Sequence, residues 1–215
     1  MLFDDSQTYA LALHTSSSQL GLAIDNFAGD SRDRVWNVGR ELSNQLHLYL
    51  SEFIQPQTWE NLAFLAVAKG PGSFTSTRIG LVTARTLAQQ FDLPLFAVSS
   101  LKGFTWSQKA LFSAGDRIAV EYPAKRGAIF GAIYQFAAGE NGNYLDTILS
   151  DAVMTPEQWQ EKCQNLGEIS KVLPVPLDLG ETVTDILELA AIAWPTIDPP
   201  HWSEALPFYG QHPIQ

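Results

Sequence analysis

The chain has 215 residues, of which 46% are hydrophobic and 17% charged, a balance typical of globular proteins and unlike that of disordered ones. Its formal net charge is −10, and residues 127–215 carry all of it, because they hold two lysines against 12 acidic residues. This distribution excludes a broad basic surface that binds nucleic acid through counterion release. It leaves open a local basic groove, or a partner that supplies one.

Cysteine usage and the lack of long apolar segments indicate the compartment. The only cysteine, Cys163, cannot form an intrachain disulfide or a cysteine-based metal cluster. A chain without disulfides is typical of a reducing compartment, and its acidic start is unlike a secretory signal. The longest apolar run, Leu62–Ala68, is far shorter than the roughly 20 residues that span a bilayer. We therefore expect a cytoplasmic protein that does not enter the membrane.

In the first half of the sequence, the spacing of apolar residues alternates between that of strands and that of helices. Short apolar stretches separated by polar turns predict a hairpin, a charged turn at Asp30–Asp33 and a third strand. Apolar residues three and four positions apart then predict an amphipathic helix. The predicted elements are strands at Tyr9–Leu13, Leu20–Asp25 and Arg34–Val38, a helix at Arg40–Phe53, a strand at Leu62–Ala68, a helix over 76–90, a strand at Leu95–Val98, and a helix from Ser99 or Ser100 to about Phe112.

The second half predicts a similar order. A helix is expected to begin at Thr155, because Thr155 can act as N-cap, Pro156 suits the first helical position and Gln158 can complete a capping box. A glycine-containing turn is expected at Gly139–Gly142. The other predicted elements are strands at Arg117–Glu121, Ala128–Phe136, Tyr144–Leu149 and Lys171–Val175 and a helix at Glu181–Trp194.

Each half therefore begins with three strands and continues with helix, strand and helix. This order is the plan of a ribonuclease-H-like lobe, and two such lobes in tandem form the α/β architecture of actin, Hsp70 and the sugar kinases. We predict this fold, with an N-terminal lobe at 1–113 and a reduced, acidic C-terminal lobe at 114–215.

A glycine-rich segment at 69–80 joins a predicted buried strand to a helix. Glycine and proline allow a sharp turn and close backbone approach, and the amides of a helix start can bind an anion. A structural turn and an anion site are both open. A Walker A loop is excluded because no Gly-Lys-Ser/Thr follows, and a dinucleotide fingerprint because Pro71 and Phe74 interrupt it. The candidate residues are Gly70, Pro71, Gly72, Ser73, Phe74, Thr75 and Arg78.

The helix that follows has a stripe of small residues. Gly80, Ala84 and Ala88 are four positions apart, so another helix can approach this side closely. An adjoining face carries Ile79, Val82, Thr83 and Thr86. Either the helix only packs on the chain's own sheet, or one face packs inward and the other meets a partner chain.

The same region carries a resemblance to a known family. Residues 70–80 read GPGSFTSTRIG, and the stretch from 65 to 101 is similar to the bacterial TsaB (YeaZ) family, whose signature is GPGSFTGLRIG followed by a helix and a P-L-x-x-V-S-S-L strand. Weaker matches cover the opening hairpin, residues 124–134 and the Leu206–Tyr209 segment.

The resemblance implies the two-lobed fold and a function. Members of the family are non-catalytic partners in making N6-threonylcarbamoyladenosine (t6A) at position 37 of tRNA. A related TsaD-like subunit holds the metal and transfers the threonylcarbamoyl group, and a TsaE-like ATPase completes the set. TsaB-like chains pair with TsaD through helices of the first lobe, and form homodimers through much the same surface.

For this chain, the resemblance implies no catalytic residue, metal or cofactor of its own. Any nucleotide is expected at the interface with the catalytic partner, and tRNA is reached only through the complex. The interface candidates are Leu42, Leu46, His47, Leu50, Ile79, Gly80, Thr83, Ala84 and Leu87.

The sequence departs from the family pattern in ways that remove acidic residues and a glycine. His14 stands at the acidic position of the opening hairpin, Ser76-Thr77 replaces Gly-Leu, Pro123 replaces Asp and Ala128 replaces Glu. These changes argue against nucleotide or metal chemistry in this chain, and they are also compatible with altered partner contacts.

Catalytic alternatives find little support in the sequence. The family is sometimes grouped with M22 peptidases, but the four histidines, at 14, 47, 201 and 212, form no H-x-x-x-H pair. No G-x-S-x-G elbow is present. The competing function is a small actin-like ATPase or phosphotransferase that uses the Gly70–Ser73 turn as an anion site. A third possible function is that of a homodimer that binds an unrelated ligand.

Trp202, in the late tail, is either a packing residue or an anchor for a partner.

Overall fold

The computed structural model describes residues 2–3, 5–139 and 142–210. The predictions that involve Glu140 and Asn141, in the Gly139–Gly142 turn, and His212 fall outside these residues.

A five-stranded mixed sheet forms the first half. Its elements are β1 (Tyr9–His14), β2 (Gln19–Asp25), β3 (Ser31–Asn37), α1 (Leu42–Phe53), β4 (Leu62–Ala68), α2 (Phe74–Phe91), β5 (Leu95–Val98) and α3 (Ser100–Ser107). The strand order is β3-β2-β1-β4-β5, in which β1 pairs antiparallel with β2 and parallel with β4. Every residue of the central β1 is buried, as expected for a strand covered on both faces.

A second, four-stranded sheet follows. Its elements are β6 (Arg117–Pro123), β7 (Ile129–Gly139), β8 (Gly142–Met154), α4 (Pro156–Asn165), β9 (Lys171–Pro174) and α5 (Val183–Ala193). The strand order is β8-β7-β6-β9, with β6 parallel to β9. The predicted capping box at the start of α4 is confirmed, because Thr155 Oγ1 accepts the Gln158 amide and Gln158 Oε1 accepts the Thr155 amide.

Helices from each half cover the sheet of the other. α1 and α2 pack on one face of the first sheet, where Leu46 and Ala84 are fully buried. The opposite face is covered by α5 from the C-terminal half, through side chains such as Ile186. In turn α3, from the N-terminal half, buries Leu101 and Trp106 against the second sheet. Since burying one such side chain contributes about 2 kcal/mol, both helices bind the two sheets together.

The predicted elements are present, with shifted ends. Asp30–Asp33 is not a turn throughout, because β3 already begins at Ser31. The Arg32 guanidinium donates to three backbone carbonyls at the end of α1, those of Phe53, Ile54 and Gln55, and these bonds hold it in the sheet. The helix predicted to reach Phe112 ends at Ser107 and is followed by a short 3₁₀ turn.

The prediction of two tandem lobes with an actin-like α/β architecture is confirmed by the two sheets and by the structural relatives given below. The boundary at 113/114 stays a prediction. No helix in the described ranges combines the length and apolarity required to cross a bilayer.

Candidate functional site

The glycine-rich turn interlocks with the turn between β1 and β2. Gly70 has a φ of +96°, which favours glycine, and the Ser73 amide donates to the Ser16 carbonyl at 2.7 Å. A Cβ at Gly72 would collide with Ser16. The turn therefore rests directly on the hairpin backbone.

The small-residue stripe of α2 lies on the same contact. Thr15 Oγ1 donates to the Ser76 carbonyl at 2.8 Å, and a Cβ at Gly80 would collide with the Thr15 side chain. Ala84 and Ala88 continue the stripe into the core beneath the helix. The stripe therefore packs on the chain's own hairpin and core. That another face of α2 meets a partner chain stays a prediction.

Two further segments close the turn from the other side. The Ser100 amide, at the start of α3, donates to the Gly70 carbonyl, and the Phe208 amide in the C-terminal tail donates to the Lys69 carbonyl, each at 2.8 Å. The Tyr209 ring packs on Phe74 with 4.5 Å between ring centroids. The turn therefore joins four parts of the chain.

The hairpin turn itself is enclosed. His14, Thr15 and Ser16 are fully buried, and Ser17 is 4% exposed. Ser17 Oγ accepts the amide of Leu179, which lies before α5. In the described structure, protein atoms thus occupy the space on both sides of this turn.

His14 is a neutral, buried imidazole. Burial lowers its pKa from 6.5 to about 3. Its Nδ1 accepts the Ser16 amide at 3.4 Å, so the proton belongs on Nε2. Nε2 is buried and has no hydrogen-bond partner among the described residues, as is also true of Thr77 Oγ1 and Ser100 Oγ near the same turn.

Most of the predicted interface residues are not on the surface. Leu42, Leu46, Leu50, Gly80, Thr83 and Ala84 are buried within the chain. Ile79 and Leu87 are partly buried against the same core, and His47 is exposed. The expectation that the buried six form an accessible docking surface is wrong, because the apolar sides of α1 and α2 pack on their own sheet.

The outer sides of these helices carry other apolar residues. Leu48 of α1 is 55% exposed and Val82 of α2 is 52% exposed. Arg78 is also exposed on α2. We use the name outer helical face for the four exposed residues His47, Leu48, Arg78 and Val82 on the outer sides of α1 and α2.

The remaining motif residues lie at the start of α2. Ser73, Phe74 and Thr75 are exposed, and Ser73 Oγ lies 3.0 Å from Ser76 Oγ. Binding of an anion at this turn stays a prediction. Trp202 is half-buried against the core of the first sheet, and the Arg85 guanidinium lies 5.8 Å from the centre of its ring. These contacts are those of a packing residue.

A polar cluster between the lobes was missed by the sequence analysis. Ser99, the N-cap of α3, accepts the amides of Leu101 and Lys102 and lies 2.8 Å from Asp151 Oδ1 on β8. Tyr134 on β7 donates to the same Oδ1 at 3.1 Å. The helix-capping role of Ser99 is readable from the sequence, but its approach to Asp151 requires the placement of β8.

Comparison with known proteins identifies the family. A family model described as "TsaD: tRNA N6-adenosine threonylcarbamoyltransferase" matches residues 40–176, which is more than half of the chain. The chain belongs to this family. Within it, the similar curated proteins are TsaB sequences, so the predicted TsaB (YeaZ) resemblance is confirmed.

Two bacterial relatives illustrate the similarity. "tRNA threonylcarbamoyladenosine biosynthesis protein TsaB" of Escherichia coli K12 is 38% identical over 104 residues, which cover 48% of this chain and 43% of that protein. The Bacillus subtilis 168 protein of the same name is 33% identical over 102 residues, 47% of this chain and 42% of the relative. The matches thus span less than half the length of these relatives.

The fold is also shared with solved structures. "YeaZ from Pseudomonas aeruginosa" superposes with a TM-score of 0.74 at 21% identity, over 94% of this chain and 99% of that one. A second Pseudomonas aeruginosa structure, of a protein described as similar to peptidase YeaZ, gives 0.75, also at 21% identity, over 95% and 100% of the two chains. At this identity the likeness establishes the fold.

Proposed function

We propose that this chain is a non-catalytic subunit in the biosynthesis of t6A on tRNA, which binds and orders a TsaD-like catalytic subunit. Membership of the family and the names of the curated relatives support the pathway. The TsaE-like ATPase and the homodimer of the isolated chain belong to the same proposal, as does contact with tRNA through the complex alone.

The observation that carries the non-catalytic role is the enclosure of the hairpin turn. An enzyme of this architecture that transfers phosphate must bring phosphates against backbone amides and cations. Here the Ser16 carbonyl is bonded to Ser73, and Gly72 and Gly80 press on Ser16 and Thr15. A phosphate would have to displace these contacts. The enclosed turn therefore favours a structural role over the ATPase alternative.

The outer helical face is the proposed docking surface for the catalytic subunit. Leu48 and Val82 are more than half exposed, and interfaces typically centre on apolar side chains bordered by charged ones such as Arg78. This choice replaces the buried candidates, which are unavailable to a partner. Of the predicted set it retains His47, and Ile79 and Leu87 are partly buried residues of helix α2.

Association of purified chains tests the docking surface. Leu48→Glu and Val82→Glu, each mixed with the TsaD-like subunit of the same cell, are expected to weaken association at least tenfold in light scattering and calorimetry. Val172→Glu is the matched control, because Val172 is 45% exposed on β9 in the other sheet. Equal association of all three variants and the unchanged chain would contradict the docking surface.

Titration of the isolated chain with Mg-ATP separates the proposal from the enzymatic alternative. No turnover is expected from the chain alone. Micromolar binding with turnover would overturn the non-catalytic role.

A further inference from the structure

A cavity of about 370 Å³ lies between the two lobes, on the side of β5 and α5. This volume is at the lower end of the range for small-molecule sites. Apolar side chains line much of it, including Phe96 and Val98 of β5, Leu189 of α5 and Ile197 and Pro200 beyond it. Such walls suit the apolar body of a small ligand.

Two lysines line this cavity, and within the described part of the chain their ammonium groups are not in close ion pairs. Lys69 follows β4 and Lys102 lies in the first turn of α3, and both line the cavity. Among the described residues, neither lysine has a carboxylate oxygen within 4.0 Å of its ammonium group. Burial lowers the pKa of Lys102, against the opposing charges of Asp146 and Asp151, and the like charge of Lys69 adds to the lowering. Among the residues that line the cavity, the two ammonium groups outnumber the single carboxylate, Asp151, and this excess of positive charge in a partly dehydrated space favours an anion.

The third polar wall is the Asp151 carboxylate. Its Oδ1 receives the hydroxyl hydrogens of Ser99 and Tyr134, at 2.8 and 3.1 Å. Tyr134 keeps its proton because burial raises its pKa well above 10. Hydrogen bonds of the described residues leave Oδ2 unused, so this oxygen can accept a hydrogen bond from a ligand.

The charges of the residues that line the cavity favour a monoanion over a dianion. Lys69 and Lys102 against Asp151 give the lining a formal charge of +1, which a monoanion neutralises. A dianionic phosphate would exceed it and would be repelled by the buried carboxylate at short range. Asp146, whose charge also acts on Lys102, is exposed and outside the cavity lining.

We propose that the cavity between the lobes binds a small organic carboxylate that has an apolar body and a hydroxyl or amino group. The ligand's carboxylate lies against Lys69 and Lys102, and its hydrogen-bond donor reaches Asp151 Oδ2. Because Lys69 and Lys102 belong to the first half and Asp151 to the second, the ligand bridges the two lobes. The site is separate from the outer helical face, so it does not rest on the proposed function.

The probe is 2-hydroxyisovalerate, titrated into the full chain and followed by amide chemical shifts in NMR. Saturable shifts are expected at Ser99, Lys102 and Asp151. Two analogues separate the contributions: 2-hydroxyisovaleramide, which is neutral, is expected to bind at least tenfold more weakly, and isovalerate, which lacks the hydroxyl group, several-fold more weakly. Shifts that do not saturate, or equal binding of the acid and its amide, would overturn the proposal.

Variants identify the residues. Lys69→Gln and Lys102→Gln are each expected to weaken binding at least tenfold, whereas Lys162→Gln, an exposed lysine on α4, leaves it unchanged. Lys69→Gln keeps the backbone bonds of Lys69 to Val98 and Phe208, so a folded protein is expected, and its thermal midpoint checks this.

Asp151→Asn is expected to remove the preference for the hydroxy acid over isovalerate. A preference that is kept would contradict the role of Oδ2. Tighter binding of inorganic phosphate than of 2-hydroxyisovalerate would overturn the choice of a carboxylate.

Discussion

Two neighbouring regions at the ends of β4 and β5 differ in what they can do. Gly70 and Ser100 join the closed turn, where the Ser100 amide is bonded to the Gly70 carbonyl. The residues just before them, Lys69 and Ser99, line the open cavity between the lobes. One side is filled by backbone and small residues, and the other holds charged groups beside empty space.

The segment by which the sequence is recognised and the region that can bind a ligand are therefore different. The most distinctive motif of the sequence lies in the closed turn, where glycines are required by contacts with Ser16 and Thr15. The cavity has no sequence motif, because its residues come from β5, α3, β7, β8, α5 and the segments that follow β4, β5 and α5. The motif therefore identifies the family because the packing of the fold requires its glycines.

The largest effect is expected from filling the closed turn. Gly72→Val would drive its side chain into Ser16, and overpacking of this kind costs about 3 kcal/mol. Urea unfolding measures the loss. Thr75→Val, at an exposed position of the same segment, is the control and should change the stability by less than about 0.5 kcal/mol. A Gly72→Val protein as stable as the control would show that the turn is not interlocked.

Acid should destabilise the chain through His14. Because its pKa is about 3 in the folded state and 6.5 in the unfolded state, the unfolded chain takes up the proton first. The contribution of His14 to the free energy of unfolding is complete above pH 6.5 and is lost as the pH falls towards 3. The loss is about 3 kcal/mol at pH 4. Urea unfolding of the chain and of His14→Gln at several pH values isolates this contribution, since the glutamine does not titrate.

Asp185 should act in the opposite direction. Burial raises its pKa from 3.8 to about 6, against the effect of Lys109. The folded chain therefore binds this proton more readily, and stability rises as the pH falls from 6 to 3.8. Asp185→Asn should steepen the loss of stability in acid, and a shallower slope would contradict the raised pKa.

A smaller effect is expected from the bond between the lobes. Ser99→Ala removes an N-cap, at a cost of about 1 kcal/mol, and also one of the two hydrogen bonds to Asp151, for a total of about 2 kcal/mol. Thr155→Ala is the matched control, because it removes the N-cap of α4 without touching a buried carboxylate. Equal losses in urea unfolding would mean that the Ser99–Asp151 bond adds nothing.

The least effect on stability is expected on the outer helical face. Leu48→Glu and Val82→Glu replace exposed side chains and should change the free energy of unfolding by less than about 0.5 kcal/mol. Unfolding of either variant in milder urea would show that these side chains support the core.

Local patterns were sufficient for the elements and the order of the lobes. The Thr155 capping box and the fully apolar run of β4 are signals contained in a few neighbouring residues. The packing of α5 on the first sheet was not predictable in this way, because Ile186 meets residues more than 100 positions earlier.

The interface candidates failed for a related reason. The apolar spacing of Leu42, Leu46 and Leu50 predicts which side of α1 is buried, and says nothing about whether the covering surface belongs to the same chain. The structure assigns that side to the chain's own core. The exposed Leu48 lies outside that apolar pattern, so only the placement of α1 draws attention to it. Val82 lies on the face beside the small-residue stripe, which the sequence pattern of α2 already indicates.

The central claim is that the chain acts in t6A formation by docking to a catalytic partner. The direct measurement is t6A formed on tRNA by the TsaD-like subunit with its TsaE-like ATPase and a supplied threonylcarbamoyl donor, with and without this chain. The account predicts formation that requires the chain, is lost with Val82→Glu and is kept with Val172→Glu. Formation that proceeds equally without the chain, or equally with both variants, would contradict it.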